Sequence, residues 1–186
     1  MPSNVTSAIV FIVSTIAHLY LFVLLLRLLL PWLGADFRNP IAQAILKLTS
    51  PVVVPLRRIV PPIGRIDTAT VLVAFIIQYV TILVVLLIIG RTAGFPDIAI
   101  TTVVNLVLLT LRLFTFAIFI RVILSWISPG GYNPAIAIIQ TLTDRILQPF
   151  RRVIPPMGGL DLSPMFAIII LMAVTIIVAG FKPLPI

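Results

Sequence analysis

The sequence predicts an all-α membrane protein: four transmembrane helices in two tandem two-helix repeats, each with a short amphipathic interfacial helix in its cytoplasmic loop. Three observations lead there. Hydrophobic residues make up 61% of 186 and charged residues only 10%, far from the roughly 45–50% and 25% of soluble domains, so the chain cannot cover a water-facing surface. Four apolar runs are separated by polar ground. That polar ground also repeats itself. Arg57-Arg58-Ile59-Val60-Pro61-Pro62-Ile63-Gly64, closed by Asp67, returns 94 residues later as Arg151-Arg152-Val153-Ile154-Pro155-Pro156-Met157-Gly158, closed by Asp161. The same offset pairs Arg27 with Arg121, Trp32 with Trp126, Asn39-Pro40 with Asn133-Pro134 and Pro55 with Pro149. The spacing is too long for a solenoid period, so it reads as two fused copies of one unit, over 1–94 and 95–186.

The first run, about 8–30, is longer than a signal-peptide core. No Lys or Arg precedes it, so it is expected to remain as a transmembrane helix, with Trp32 at its interface. The second runs over about 69–89, the third over about 98–124 with Trp126 at its exit, and the short fourth over about 164–180. Between the spans of each copy, Asn39 and Asn133 have the chemistry of N-caps, and Pro40 and Pro134 suit a first helical turn. Apolar residues then recur at Ile41, Ile45, Leu48 and Val52, and at Ala135, Ile139, Leu142 and Ile146. This i, i+4, i+7, i+11 spacing puts one apolar stripe on a helix lying in the interface. Pro51 is placed to kink the first such helix, and Pro55 and Pro149 to end both.

Thirteen Lys and Arg against five Asp give a net charge of +8, which on a membrane protein reports topology. The loop after the first span holds Arg38, Lys47, Arg57, Arg58 and Arg65, and the loop after the third holds Arg145, Arg151 and Arg152. The opposite side offers Arg91 and Lys182. Both motif loops are therefore expected in the cytoplasm, with both termini outside. The copies then point the same way, related by an axis along the membrane normal.

The paired guanidiniums Arg57, Arg58, Arg151 and Arg152 suit bidentate contact with anionic headgroups or a protein partner at the cytoplasmic face. The alternative is a topology signal that snorkels. Pro61-Pro62 and Pro155-Pro156 stiffen each loop, and Gly64 and Gly158 supply its bend. Asp67 and Asp161 sit where a carboxylate favours the positive end of the next helix, with an Arg pairing as a second option. Ser163 and Pro164 look like a helix start. Arg27 and Arg121, near span ends, are expected to snorkel. His18 and Arg112 lie inside spans, where insertion costs about 2.5–3.5 kcal/mol on the mildest scale. The two occupy equivalent positions that could face each other across the pseudo-axis, with Asn105, Gln78 or Tyr79 as partners. A packing or oligomer contact explains them equally well.

Several chemistries are set aside. One His and no Cys leave no ordinary zinc site, and a bis-His haem would need a second chain. There is no phosphate-cradling Gly loop and no plausible Ser-His-Asp set. No aromatic residues interleave with the arginines, which disfavours nucleic acid. Neither catalytic residues nor a cofactor are expected.

The pattern Asn-Pro, then Pro-[Leu/Phe]-Arg-Arg-[Ile/Val]-[Val/Ile]-Pro-Pro-[Ile/Met]-Gly, then Asp before an apolar span, resembles the YggT family of bacterial membrane proteins over nearly the whole chain. The resemblance implies a small multi-pass protein of the bacterial inner membrane, with single-copy relatives in cyanobacteria and chloroplasts. It further implies links to osmotic stress tolerance, cell division and septum placement, plastid nucleoid distribution, or assembly of cytochrome b6 with its covalent haem. The copies depart from each other within the motif where Arg65 stands opposite Gly159, and just after it where Thr68-Ala69 stand opposite Leu162-Ser163. The leading expectation is a non-enzymatic scaffold or assembly element whose two basic loops form a pad for anionic lipid and a membrane or cytoplasmic protein. One alternative is a homo-oligomeric ion or osmolyte transport component with His18 and Arg112 lining a path. The other is a factor for haem-protein assembly.

Overall fold

The computed structural model describes residues 4–64, 66–127, 133–154 and 161–185. Pro155, Pro156, Met157, Gly158 and Gly159, and also Arg65, lie outside the described residues. Among those described, the elements are six α-helices: α1 (Asn4–Leu33), α2 (Pro40–Arg57), α3 (Thr68–Ile88), α4 (Phe95–Ile127), α5 (Pro134–Val153) and α6 (Ser163–Ala179). Three of them, α1, α3 and α4, are long and apolar enough to cross a bilayer, and α6 is a shorter apolar helix of 17 residues. At 1.5 Å per residue the 33 residues of α4 run to about 50 Å, well past a hydrocarbon core of ~30 Å. Both α1 and α4 must therefore tilt or project beyond it.

Each repeat packs its first helix on its third, α1 on α3 and α4 on α6, with the amphipathic helix against both. Leu21 and Leu24 of α1 meet Ala69, Val73 and Ala74 of α3, with Val53 of α2 beneath. The corresponding cluster of the second repeat is Ile118, Leu147 and Ala167, residue for residue the counterparts of Leu24, Val53 and Val73. Small residues on α3 and α6 let the backbones approach closely, and dispersion rather than water exclusion holds such helices together in lipid. Several buried threonine hydroxyls are satisfied within their own helices: Thr81 donates to the Ile77 carbonyl at 2.7 Å and Thr102 to that of Ile98 at 2.8 Å.

The repeats meet through α3 against α4 and α1 against α5, with Leu25, Ala42 and Ile45 sharing a core with Leu113, Ala117, Ile138 and Leu142. The amphipathic helices α2 and α5 lie side by side, and at their starts the Asn39 amide donates to the Pro134 carbonyl at 2.8 Å. The copies therefore run parallel.

Three expectations are corrected here. On α2 the buried stripe is Ala42, Ile45, Thr49 and Val53, one position round from the expected one. Leu48 and Val52 are exposed, and Thr49 instead faces inward, where its hydroxyl accepts from Arg27. Pro55 and Pro149 do not end their helices, which run on to Arg57 and Val153. A proline's fixed φ is helical, and one lost hydrogen bond in the last turns does not stop the chain. Arg27 does not snorkel: it is buried.

Candidate functional site

The loops begin with well-formed caps. Asn39 Oδ1 accepts from the Ile41 amide and Asn133 Oδ1 from that of Ala135, both at 2.8 Å. After α2, Gly64 adopts φ +59°, where a side chain would be strained. Ile63 and Ile66 exchange backbone hydrogen bonds of 3.2 and 3.0 Å around it. Pro61 precedes this turn, and Thr68 donates to its carbonyl at 2.6 Å, tying the Pro61-Pro62 arm to the start of α3. The turn delivers Asp67 as the N-cap of α3, accepting from the Thr70 hydroxyl at 2.9 Å.

Asp67 is the centre of a polar cluster beneath the first repeat. Its Oδ2 forms ion pairs with Arg27 Nε at 3.8 Å and Arg57 Nη2 at 3.5 Å. Arg27 also donates to the Thr49 hydroxyl at 2.8 Å and the Ser50 hydroxyl at 3.2 Å. The second repeat rebuilds this with two changes, an aspartate at the position of Ser50 and no Arg121–Asp161 ion pair among the described residues. Arg121 donates to Thr143 at 2.7 Å and pairs with Asp144, which stands where Ser50 stands in the first. Arg151 then spans two carboxylates, Asp161 at 2.9 Å and Asp144 at 3.6 Å. Asp161 Oδ1 accepts from the Ser163 amide at 3.0 Å at the start of α6, while Ser163 itself caps nothing. Burial pushes the Asp161 carboxyl up, but hydrogen bonds from Ser163 and Arg151 outweigh it and hold it below the ordinary value of 3.8.

The arginine pairs are thereby divided. Arg57 and Arg151 are engaged by carboxylates. Arg58 and Arg152 are exposed, and no ion pair to either occurs among the described residues. Arg152 lines a polar cleft of about 890 Å³ with Arg145, Arg151, Gln148 and Thr141. Arg145 in turn stacks over the Trp32 ring, 4.9 Å from its centroid, and donates to the Trp32 carbonyl at 3.2 Å. Sequence reasoning missed the roles of Arg27, Arg121, Thr49, Thr143 and Asp144. The 94-residue offset that pairs Thr49 with Thr143 was the available signal.

Toward the other side, His18 lines a cleft of about 750 Å³ with Gln78 and Asn105, between α1, α3 and α4. Arg112 does not share it. It is exposed in a separate, mostly apolar groove of about 440 Å³ between α4 and α6, with Phe116, Phe119, Met172 and Ile176. Tyr79 packs instead with Phe75 and Phe95. Burial lowers the Lys182 ammonium from its usual 10.5, and nearby Arg112 adds to the shift.

The sequence pattern of the CCB3/YggT family matches residues 6–88 and again 100–181. An uncharacterized protein of Pseudomonas aeruginosa is 39% identical over 177 residues, 94% of this chain and 90% of that one. Uncharacterized protein YggT of Escherichia coli K12 is 36% identical over 174 residues, 93% of this chain and 90% of its own. Uncharacterized protein ycf19 of Porphyra purpurea is 35% identical over 67 residues, which make up 36% of this chain but 70% of that protein. No solved structure matches the fold. Two matching segments, in step with the duplication read from the loops, make this chain a multi-pass membrane protein of the CCB3/YggT family.

Proposed function

We propose that the chain crosses the bacterial inner membrane four times, α6 included, with its motif loops in the cytoplasm and both termini outside. There it acts as a non-enzymatic scaffold that gathers anionic lipid and a protein partner on a basic pad. The observation carrying this reading is the division of labour within each Arg pair. One guanidinium ties the loop to the helix beneath it through an aspartate. The other faces outward with its donors free of any carboxylate among the described residues. A topology signal needs charge alone, whereas Arg58 at the end of α2, and Arg152 in the last turn of α5 lining one cleft with Arg145, offer planar donors for a phosphate. Orientation follows from the basic excess of the motif side. The conduit reading loses support, since His18 and Arg112 line separate grooves.

The test uses the full chain in nanodiscs with mixed neutral and anionic lipid, read by native mass spectrometry after mild release. R58Q/R152Q is expected to shed the retained anionic lipids, each basic residue being worth about 1 kcal/mol at the surface, while the protein stays folded. R58K/R152K keeps the charge and should retain them less tightly than the parent. Full retention by R58Q/R152Q would refute the pad.

A further inference from the structure

We propose that a second copy of this chain docks the free face of its α1 and α2 against the open α4–α6 groove, repeating between molecules the packing that joins the two repeats within one.

The internal joint is heterologous. A pseudo-twofold pair would bury the same surface on both copies, so α6 would pack on α1 as α3 packs on α4, and α2 on α4 as α5 packs on α1. Among the described residues neither happens. Instead, one face of the first repeat receives a different face of the second. Each molecule therefore carries one unused copy of each face, and such faces propagate into a ring where the rotation closes and into an open array where it does not.

The unused faces can be named by the offset. The groove holding His18, Gln78, Thr81 and Ile82 is covered by α4, which brings Asn105. Its counterpart holds Arg112, Met172, Thr175 and Ile176, position for position 94 residues on, and nothing among the described residues covers it. The helix equivalent to α4 is α1, which would bring Phe11 where α4 brings Asn105. An aromatic face there suits the guanidinium of Arg112. Lower down, Leu113 and Leu142 are buried in the joint core, while their counterparts Leu19 and Leu48 are 65% and 64% exposed. From the other side of that core, Leu25 is buried and its counterpart Phe119 is 53% exposed. At the loop level Asn39 reaches across to the Pro134 carbonyl. Asn133 makes the same cap but is exposed, its amide positioned to reach Pro40 of a second copy. Trp32 carries Arg145 and is 48% exposed, against 74% for Trp126. An apolar face in lipid is unremarkable. A face that matches a used one residue by residue, and carries an exposed arginine within a span, is what a second copy fits.

Because the chain has no Cys, crosslinking is clean. Membranes co-expressing Phe11→Cys and Met172→Cys chains, treated with a short bismaleimide, should yield a crosslinked dimer, and either variant alone should yield none. Asn105→Cys with Gln78→Cys in one chain calibrates the reach of the reagent on the internal joint. Leu19→Arg, at an exposed position, should reduce the native mass to that of one chain without preventing insertion. The proposal is overturned if the calibrating pair links while the mixed pair does not. Crosslinking of Phe11→Cys to itself as strongly as in the mixture would also overturn it, since that is the mark of a twofold face.

Discussion

The two polar clusters occupy equivalent places and solve the same problem with different amounts of charge. In the first, Arg27 and Arg57 share one carboxylate, with side-chain exposures of 5% for Arg27 and 14% for Asp67. In the second, Arg121 and Arg151 have two carboxylates between them, and the site is wetter, at 19% for Arg121 and 39% for Asp161. A single exchange, Ser50 against Asp144, accounts for the difference in charge. The comparison teaches that a buried site tolerates an unbalanced guanidinium only while hydroxyls and one well-placed carboxylate surround it. An exposed site can carry more charge, because water shares the cost and weakens every pair.

Breaking each cluster at its aspartate should separate them most. Asp67→Asn leaves Arg27 buried with only hydroxyl and carbonyl acceptors, for an expected loss of about 3 kcal/mol, the low end for a broken buried pair. Asp161→Asn removes a largely exposed pair and keeps an Asx acceptor for the Ser163 amide, so about 0–1 kcal/mol is expected. Thermal unfolding of the detergent-solubilised variants reads both. Adding Ser50→Asp to Asp67→Asn gives the first cluster the carboxylate of the second, and should recover part of the loss. Equal destabilisation by the two single variants would erase the distinction between the clusters.

The hydroxyls come next. Thr49→Val strips a 2.8 Å acceptor from a buried guanidinium and should cost about 1.5–3 kcal/mol, as for hydrogen bonds to charged groups. Thr143→Val leaves Asp144 on Arg121, and should cost less than about 1 kcal/mol. Proteolytic susceptibility of the motif loops is a second readout for the same pair.

The smallest effect is the response to acid. The Asp161 carboxyl titrates lower in the folded protein than its ordinary value. Its contribution is therefore complete above the ordinary aspartate range and is lost as pH falls through the folded value. The parent should lose slightly more stability than Asp161→Asn between neutral pH and that acid range, with no difference between them in slope at higher pH. A melting-temperature series against pH checks it.

Much of this was legible in the residues. The apolar runs determined where helices form, since about 20 such residues have no alternative conformation in lipid. The 94-residue offset determined the duplication, the Asn-Pro pairs marked the caps at Asn39 and Asn133, and Gly64 marked a bend. Sequence chemistry also placed Asp67 and Asp161 at helix starts within reach of an arginine. What the tertiary structure alone decided is which faces meet. In water an apolar stripe marks the buried side, but in a bilayer lipid is as apolar as a neighbouring helix, so Leu48 and Leu142 look alike though one is exposed and the other buried. The inward turn of Thr49, the burial of Arg27, the split within each Arg pair and the open groove around Arg112 all depend on that choice of faces. It is set by close packing of small residues and by where a buried guanidinium finds oxygen, and neither has a period that a sequence displays.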